Sequence, residues 1–238
     1  MVRKVSSLAT LRHVFVKVTL IIPTLNEADG IVSALNMLQV WRQKGASITL
    51  VDGGSLDETV ARAAPLVDQV ITCAPGRALQ MNAGACIANT DILLFLHADT
   101  LLTHTCLDQL TQALQQGAEW GRFDVQILGE PMMLRVVSFM MNWRSRLTGI
   151  ATGDQAIFVR RDWFECVGKF PVQPLMEDIE LSKRLRLLGQ PTCLAGPAIT
   201  SGRRWQSHGV WRTIFLMWRL RWLYWRGVSP ALLEEKYR

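Results

Sequence analysis

Asp99 closes the segment His97-Ala98-Asp99, which follows the apolar run Ile92 to Leu96. A carboxylate at the end of a strand can hold a hard divalent cation, Mg²⁺ or Mn²⁺, and the cation in turn binds phosphate oxygens. The plainer reading is a loop acid that caps the turn at Thr100 or Leu101. His97 divides in the same way, between a second ligand and a structural residue. Asp52 ends Ile48-Thr49-Leu50-Val51-Asp52 and is followed by Gly53-Gly54-Ser55. An acid there can accept hydrogen bonds from a base or ribose, while glycines let the backbone come close or simply turn the chain. Arg77 follows Pro75-Gly76 at an expected helix start, where an Arg and outward N–H groups suit pyrophosphate. Glu177-Asp178 open another expected helix, where acids oppose the helix dipole or serve as a general base for a hydroxyl nucleophile. Gly153-Asp154-Gln155 can orient hydroxyls or form a loop turn.

These residues need a frame. The β-branched run Val16 to Ile22 ends at Pro23 and reads as a strand entering a loop. Ile31, Leu35 and Leu38 mark one face of a helix that stops near Gly45. A strand over 48–52, a helix over 57–64, a short strand at 69–71, a helix over 77–88 and a strand over 92–96 follow. Strands alternating with helices predict a parallel sheet covered on both faces, with ligands at the carboxyl ends of the strands. Pro23-Thr24, Asp52-Gly53 and His97-Ala98-Asp99 all fall at that edge. The second half predicts strands at 123–127 and 156–159, an apolar helix over 132–146 and a helix over 177–188, and it is assigned to the acceptor side.

Length and composition agree with one α/β core. The chain has 238 residues, 49% hydrophobic and 19% charged, with a formal charge of +6. Ser201 to Leu232 contains no Asp or Glu but six arginines, which favours anionic partners. The five cysteines show no paired spacing and read as reduced, mostly buried thiols. The first 17 residues lack a signal-peptide pattern, and no apolar run reaches the roughly 18 to 20 residues that span a bilayer. A cytoplasmic location is expected.

In order along the chain, Ile21-Ile22-Pro23-Thr24-Leu25-Asn26-Glu27, Val51-Asp52-Gly53-Gly54-Ser55, Leu96-His97-Ala98-Asp99-Thr100 and Met176-Glu177-Asp178-Ile179-Glu180-Leu181 are found. This set resembles the family 2 glycosyltransferases of the GT-A fold, over about residues 16 to 205. The resemblance implies an α/β, Rossmann-like, mostly parallel sheet flanked by helices. It also implies inverting transfer of a hexose from a nucleoside-diphosphate sugar to a small-molecule or lipid-linked hydroxyl acceptor, dependent on Mn²⁺ or Mg²⁺. Pro23, Thr24, Asn26, Glu27 and Asp52, with Gly53, Arg77 and Ala98, would hold the donor. Asp99 would hold the metal, since the family's usual Asp-X-Asp has His97 in its first place. Asp178 would be the base, with Gly153, Asp154, Gln155, Glu177, Arg204 and Trp205 toward the acceptor. The stretches Gly76-Arg77-Ala78, Gly153-Asp154-Gln155-Ala156 and Ser201-Gly202-Arg203-Arg204-Trp205 look most like a small bacterial subgroup associated with radical-SAM and selenium gene clusters, of the arsenosugar-biosynthesis type. The signature of processive members is matched only at Arg204-Trp205, so processive synthesis is not expected.

The expected division is a transferase domain at 1–209 and an amphipathic helix and tail at 210–238. Trp211, Ile214, Phe215, Trp218, Trp222 and Trp225 recur at helical spacing, with Arg212, Arg219 and Arg226 on another face. Over 210–226 this suits peripheral contact with the inner face of the cell membrane, or equally packing on the domain or on a second copy in a homodimer. Two rivals differ in class. A nucleic-acid-binding module accounts for the basic tail but leaves the strand-end acids without a role, so no nucleic acid is expected. A nucleotidyltransferase acting on a sugar phosphate would share the metal and nucleotide but release pyrophosphate.

Overall fold

In the computed structural model, which describes residues 17–130 and 132–237, the first half alternates as the sequence predicts. The elements are β1 (Val18–Thr24), α1 (Ile31–Gln43), β2 (Ser47–Asp52), α2 (Thr59–Ala63), β3 (Gln69–Thr72), α3 (Arg77–Ile87) and β4 (Ile92–Phe95). Next come β5 (Thr100–Leu102), α4 (His104–Gln115), β6 (Trp120–Leu128), α5 (Met133–Thr148), β7 (Ile157–Arg160), α6 (Arg161–Cys166) and α7 (Glu177–Leu188). The chain ends with β8 (Thr192–Ser201), α8 (Arg203–His208), α9 (Val210–Trp225) and α10 (Pro230–Tyr237).

The strands form one sheet in the order β3-β2-β1-β4-β7-β6-β8-β5. The first four are parallel, β7 runs against both β4 and β6, β8 is parallel to β6, and β5 runs against β8. The mostly parallel α/β sheet is therefore present, with β5 and β7 reversed. Strand order turns at β1, between β2 and β4, and the carboxyl ends of these strands frame the crevice where α/β sheets bind ligands.

Both faces are covered, because the strands are apolar on alternate sides. Leu20, Ile22, Leu50 and Leu94 pack with Leu35, Leu38 and Trp41 of α1 and Leu107 and Leu110 of α4. Ile21, Val51, Leu93 and Phe95 pack with Met81 and Ala85 of α3, Phe164 of α6 and Leu181 and Leu185 of α7. Gly84 lets α3 lie close on the sheet, since a Cβ there would fall 2.5 Å from Cγ2 of Ile21.

β5, α4, α6, β8 and α8 are not predicted from the sequence. β5 is three residues long, and α6 is a six-residue turn of helix. α4 carries a readable stripe of Cys106, Leu107, Leu110 and Ala113. β8 contains Gly196-Pro197, punctuation that reads as a loop, yet the strand pairs with β6 across a register shift next to Asp124 and Pro197. The expectation of mostly buried thiols is corrected: all five cysteines are free, but Cys106 alone is buried, and Cys86 and Cys166 are exposed.

Residues 210–237 contain two helices, α9 and α10. Leu220 of α9 and Leu233 of α10 are fully buried against Leu175, Met176 and Ile179 at the start of α7. No helix among the described residues is long and apolar enough to cross a membrane. The expectation for the first residues of the chain lies outside the described residues.

Candidate active site

The crevice starts with two loops that hold each other. Asn26 adopts a left-handed backbone with φ of 54°, its Oδ1 accepts from the N–H of Leu56 (2.9 Å), and its own N–H donates to Oγ of Ser55 (2.9 Å). The N–H of Glu27 donates to Oγ1 of Thr59 at 2.7 Å, and the N–H of Ala28 to Oδ2 of Asp57 at 3.1 Å. Hydrogen bonding from Thr59 holds the Asp57 carboxyl below its ordinary range against a smaller opposing effect of burial. Asp52 is buried and turned into its own loop, where Oδ2 accepts from the N–H groups of Gly54 and Ser55, both at 2.9 Å, and Oδ1 from the Ser55 hydroxyl. The carboxylate thus sets the Gly53-Gly54 turn. Pro23 and Thr24 are buried in β1, and the N–H of Gly53 donates to the carbonyl of Thr24.

Gln80, absent from the sequence reading, ties these strand ends together. Its buried Nε2 donates to the carbonyls of Thr24 and Val51, both at 2.8 Å. A polar residue on the inner face of a small-residue helix was its only signal.

His97-Ala98-Asp99 separates two chambers. On one side, Ala98 and Asp99 line a cleft of about 420 Å³ with Asp29, Leu128, Ser201 and Arg203. Arg203 Nη2 reaches Glu27 Oε2 at 3.4 Å across the mouth. The half-buried Asp99 carboxylate makes no hydrogen bond or ion pair among the described residues. No group of three His, Cys, Asp or Glu that could enclose a metal occurs among the described residues. One uncommitted acid beside an open cleft fits a hard cation that takes its remaining ligands from phosphate and water.

On the other side, His97 lines a narrow chamber with Met81, Phe95, Gly153, Ile157, Phe170, Glu177 and Asp178. Its Nδ1 is 3.3 Å from Oδ1 of Asp154, and a Cβ at Gly153 would lie 2.4 Å from its Nε2. His97 therefore packs toward the second chamber, away from the cleft that Asp99 lines. Asp178 Oδ2 accepts from the N–H of Gly153 at 2.8 Å. The Gly153-Asp154-Gln155 turn is fixed by a capping box between Thr152 and Gln155, and Gln155 reaches Asn142 of α5. Burial raises the Asp154 carboxyl, but the hydrogen bond and charge of His97, with Arg77 and Arg221, outweigh it and hold the group low.

Arg77 opens α3 at the surface beside this chamber. Desolvation lowers its pKa, but Glu177, Tyr237, Asp154 and Asp178 together raise it above the ordinary value. Arg77 therefore lies within reach of the charge of these carboxylates. Trp205 packs beside Val125 and Ile127 in the cluster under α5, away from the acids, and the side chain of Arg204 lies outside the described residues.

Glu177 is 5% exposed, and burial, then the charge of Asp178, push its carboxyl up to about 7 against an ordinary 4.5, with Arg77 and His97 opposing. The native state therefore keeps a proton that the unfolded chain has released, so this group loses stability as pH rises from about 4.5 to 7. The loss is on the order of 3 kcal/mol at most. Glu177→Gln removes it. The variant's melting temperature should exceed the wild type's by more at pH 8 than at pH 5, and an equal difference at both would contradict this burial effect.

The sequence profile described as "Glycosyl transferase family 2" matches residues 19–168. No curated protein sequence matches the chain. Among solved structures, Staphylococcus aureus TarS superposes with a TM-score of 0.60 at 16% identity, over 78% of this chain and 36% of that one. The Pyrobaculum calidifontis mannosyltransferase, in complex with GDP-Man and Mn²⁺, gives 0.57 at 21% identity over 77% of this chain and 56% of that one. Glucosyl-3-phosphoglycerate synthase from Mycobacterium tuberculosis, with Mn²⁺, UDP and glucosyl-3-phosphoglycerate, gives 0.56 at 16% identity over 76% and 70%. At these identities the likeness is one of GT-A fold, and the chain spans only about a third of TarS and just over half of the mannosyltransferase.

Proposed function

We propose, from the premise that this chain belongs to glycosyl transferase family 2, that it moves a hexose from a nucleoside-diphosphate sugar to a hydroxyl acceptor with inversion. The observation that carries this reading is the pair of chambers on either side of His97-Ala98-Asp99. An uncommitted acid, Asp99, lines one, and Glu177 and Asp178 line the other within reach of the charge of Arg77. A diphosphate in the first would present its sugar toward an acceptor in the second.

The loops carrying Pro23, Thr24, Asn26, Glu27, Asp52, Gly53 and Ala98 hold the nucleotide, with Asp52 acting through the turn that it fixes. Asp99 holds Mn²⁺ or Mg²⁺, and the cation when bound neutralises the diphosphate leaving group. Arg77 adds a fixed positive charge between donor and acceptor, preorganised for the developing negative charge. Asp178, oriented by the Gly153 N–H, removes the acceptor proton, while Asp154, Gln155 and Glu177 shape its surroundings. Turnover should release nucleoside diphosphate, detectable by phosphorus NMR. Release of inorganic pyrophosphate would instead favour a nucleotidyltransferase.

The acceptor is a small molecule or lipid-linked, and the protein works as a peripheral enzyme on the inner face of the cell membrane. Support comes from two helices. α9 exposes Trp211, Phe215, Trp218, Trp222 and Trp225, and α5 exposes Val136, Phe139, Met140, Trp143 and Leu147. The two meet in one cluster, where Leu134 and Val137 lie near Val210 and Ile214. Neither helix contains an acid, and their charged residues are all Arg. Exposed rings with cations suit anionic headgroups. The protein should float with phosphatidylglycerol vesicles, and Phe139→Glu or Trp218→Glu should abolish flotation. A stable dimer that buries these residues and ignores vesicles would contradict it. The narrower likeness to the arsenosugar-biosynthesis subgroup rests on the three stretches quoted above.

A further inference from the structure

We propose that Arg144 and Arg221 form a site for an anionic group, a phosphate or carboxylate, carried by the acceptor beside Asp178. The inference rests on the transferase reading of the second chamber.

Arg122 lies on β6 and Arg144 and Arg146 on α5, and two of these three arginines are satisfied. Arg122 is fully buried and bonds the Ser145 hydroxyl, the Asn142 carbonyl and Asp124. Arg146 binds both oxygens of the same Asp124. Arg144 has no such partner: its Nε and Nη2 are buried and make no hydrogen bond. Buried N–H groups of a cation left unpaired are costly, and native proteins seldom leave them without a role.

Arg221 approaches from α9. It sits next to Leu220, the residue that anchors α9 on Met176 and Ile179, while Trp218, Trp222 and Trp225 turn outward. Arg221 makes no hydrogen bond or ion pair among the described residues, and unlike the buried nitrogens of Arg144 it keeps a solvent-facing side. Arg144 lies within reach of the charges of Arg221 and Asp178, and Arg221 within reach of those of Asp178 and Asp154. Burial, then the charge of Arg221, pushes Arg144 down to about 10, with Asp178 opposing and Arg122 adding to the fall.

Two poorly hydrated guanidinium groups within reach of each other's charge repel, and an anion between them relieves that repulsion. Planar forks of N–H donors match a phosphate or carboxylate with paired hydrogen bonds. Their place next to Asp178 puts that anion on the molecule whose hydroxyl Asp178 would deprotonate. The same chemistry can come from a soluble phosphate ester or from a lipid headgroup.

The test is calorimetry on the full chain with the donor cleft filled by a nucleoside diphosphate and Mn²⁺. Glycerol 3-phosphate is titrated in one arm and monomeric dihexanoyl phosphatidylglycerol in the other, with glycerol and dihexanoyl phosphatidylcholine as uncharged and zwitterionic counterparts. Binding of an anionic probe, weakened about tenfold or more in both Arg144→Met and Arg221→Met, is the expected result. Binding of glycerol 3-phosphate assigns the site to a soluble ester, and binding of the lipid alone assigns it to a headgroup. Arg144→Met removes unpaired donors, so it should melt no lower than the wild type. Absence of binding to both anionic probes, equal binding in the variants, or a marked fall in the melting temperature of Arg144→Met would overturn the proposal. The nucleotide arm reports separately, because failure to bind any nucleoside diphosphate removes the transferase reading whatever the arginines do.

Discussion

Asp178→Asn is expected to lower transfer by about a hundred- to ten-thousandfold, the range a positioned general base contributes. The fold should survive, because the Asn oxygen can still accept from the Gly153 N–H and hold the 153–155 turn on α7, while the bond that the other carboxylate oxygen accepts from the Ile179 N–H is lost. Nucleotide affinity should stay near wild type, since Asp178 lies in the chamber opposite the Asp99 cleft. The neighbouring Glu177 is buried and does not take the place of Asp178. Initial rates with saturating donor, beside calorimetric affinity for the nucleoside diphosphate, separate the two quantities. Full turnover in Asp178→Asn would remove the base from Asp178.

Asp99→Ala should act on the other quantity. With the carboxylate gone, the His97 ring cannot replace it, because that ring is engaged with Asp154 and packed on Gly153. Affinity for a nucleoside diphosphate in the presence of Mn²⁺ should fall on the order of a hundredfold, the effect of losing several kcal/mol of metal-bridged contact. Without Mn²⁺, wild type and variant should bind equally weakly. An Asp99→Ala protein that still gains affinity from Mn²⁺ would place the metal elsewhere.

Much of the frame was legible because its signals are local. β1, β2 and β4 are buried on both faces and read as continuous apolar runs, and the polar residues that end them fall at one sheet edge as expected. β8 was hidden by Gly196-Pro197, and its pairing with β6 arises from contacts distant in sequence. Within the site, the acids announced themselves by following strands or opening a helix. Their partners did not. Gln80 acts through two carbonyls from separate strands, and Arg221 lies on the inner side of a helix whose outer side carries the conspicuous tryptophans. His97 shows the same limit. Its spacing from Asp99 suggests a shared ligand, whereas folding brings Gly153 and Asp154 against it and separates the two side chains into different chambers.

In the proposed function a nucleoside diphosphate and a divalent cation bind together in the cleft lined by Asp99. Titration of the unaltered protein with UDP and with GDP, in Mn²⁺ and then in chelator, tests it most directly. The expected result is clear binding of at least one nucleotide in Mn²⁺ and its loss on chelation, whereas binding of neither nucleotide, or binding indifferent to the cation, would contradict the account.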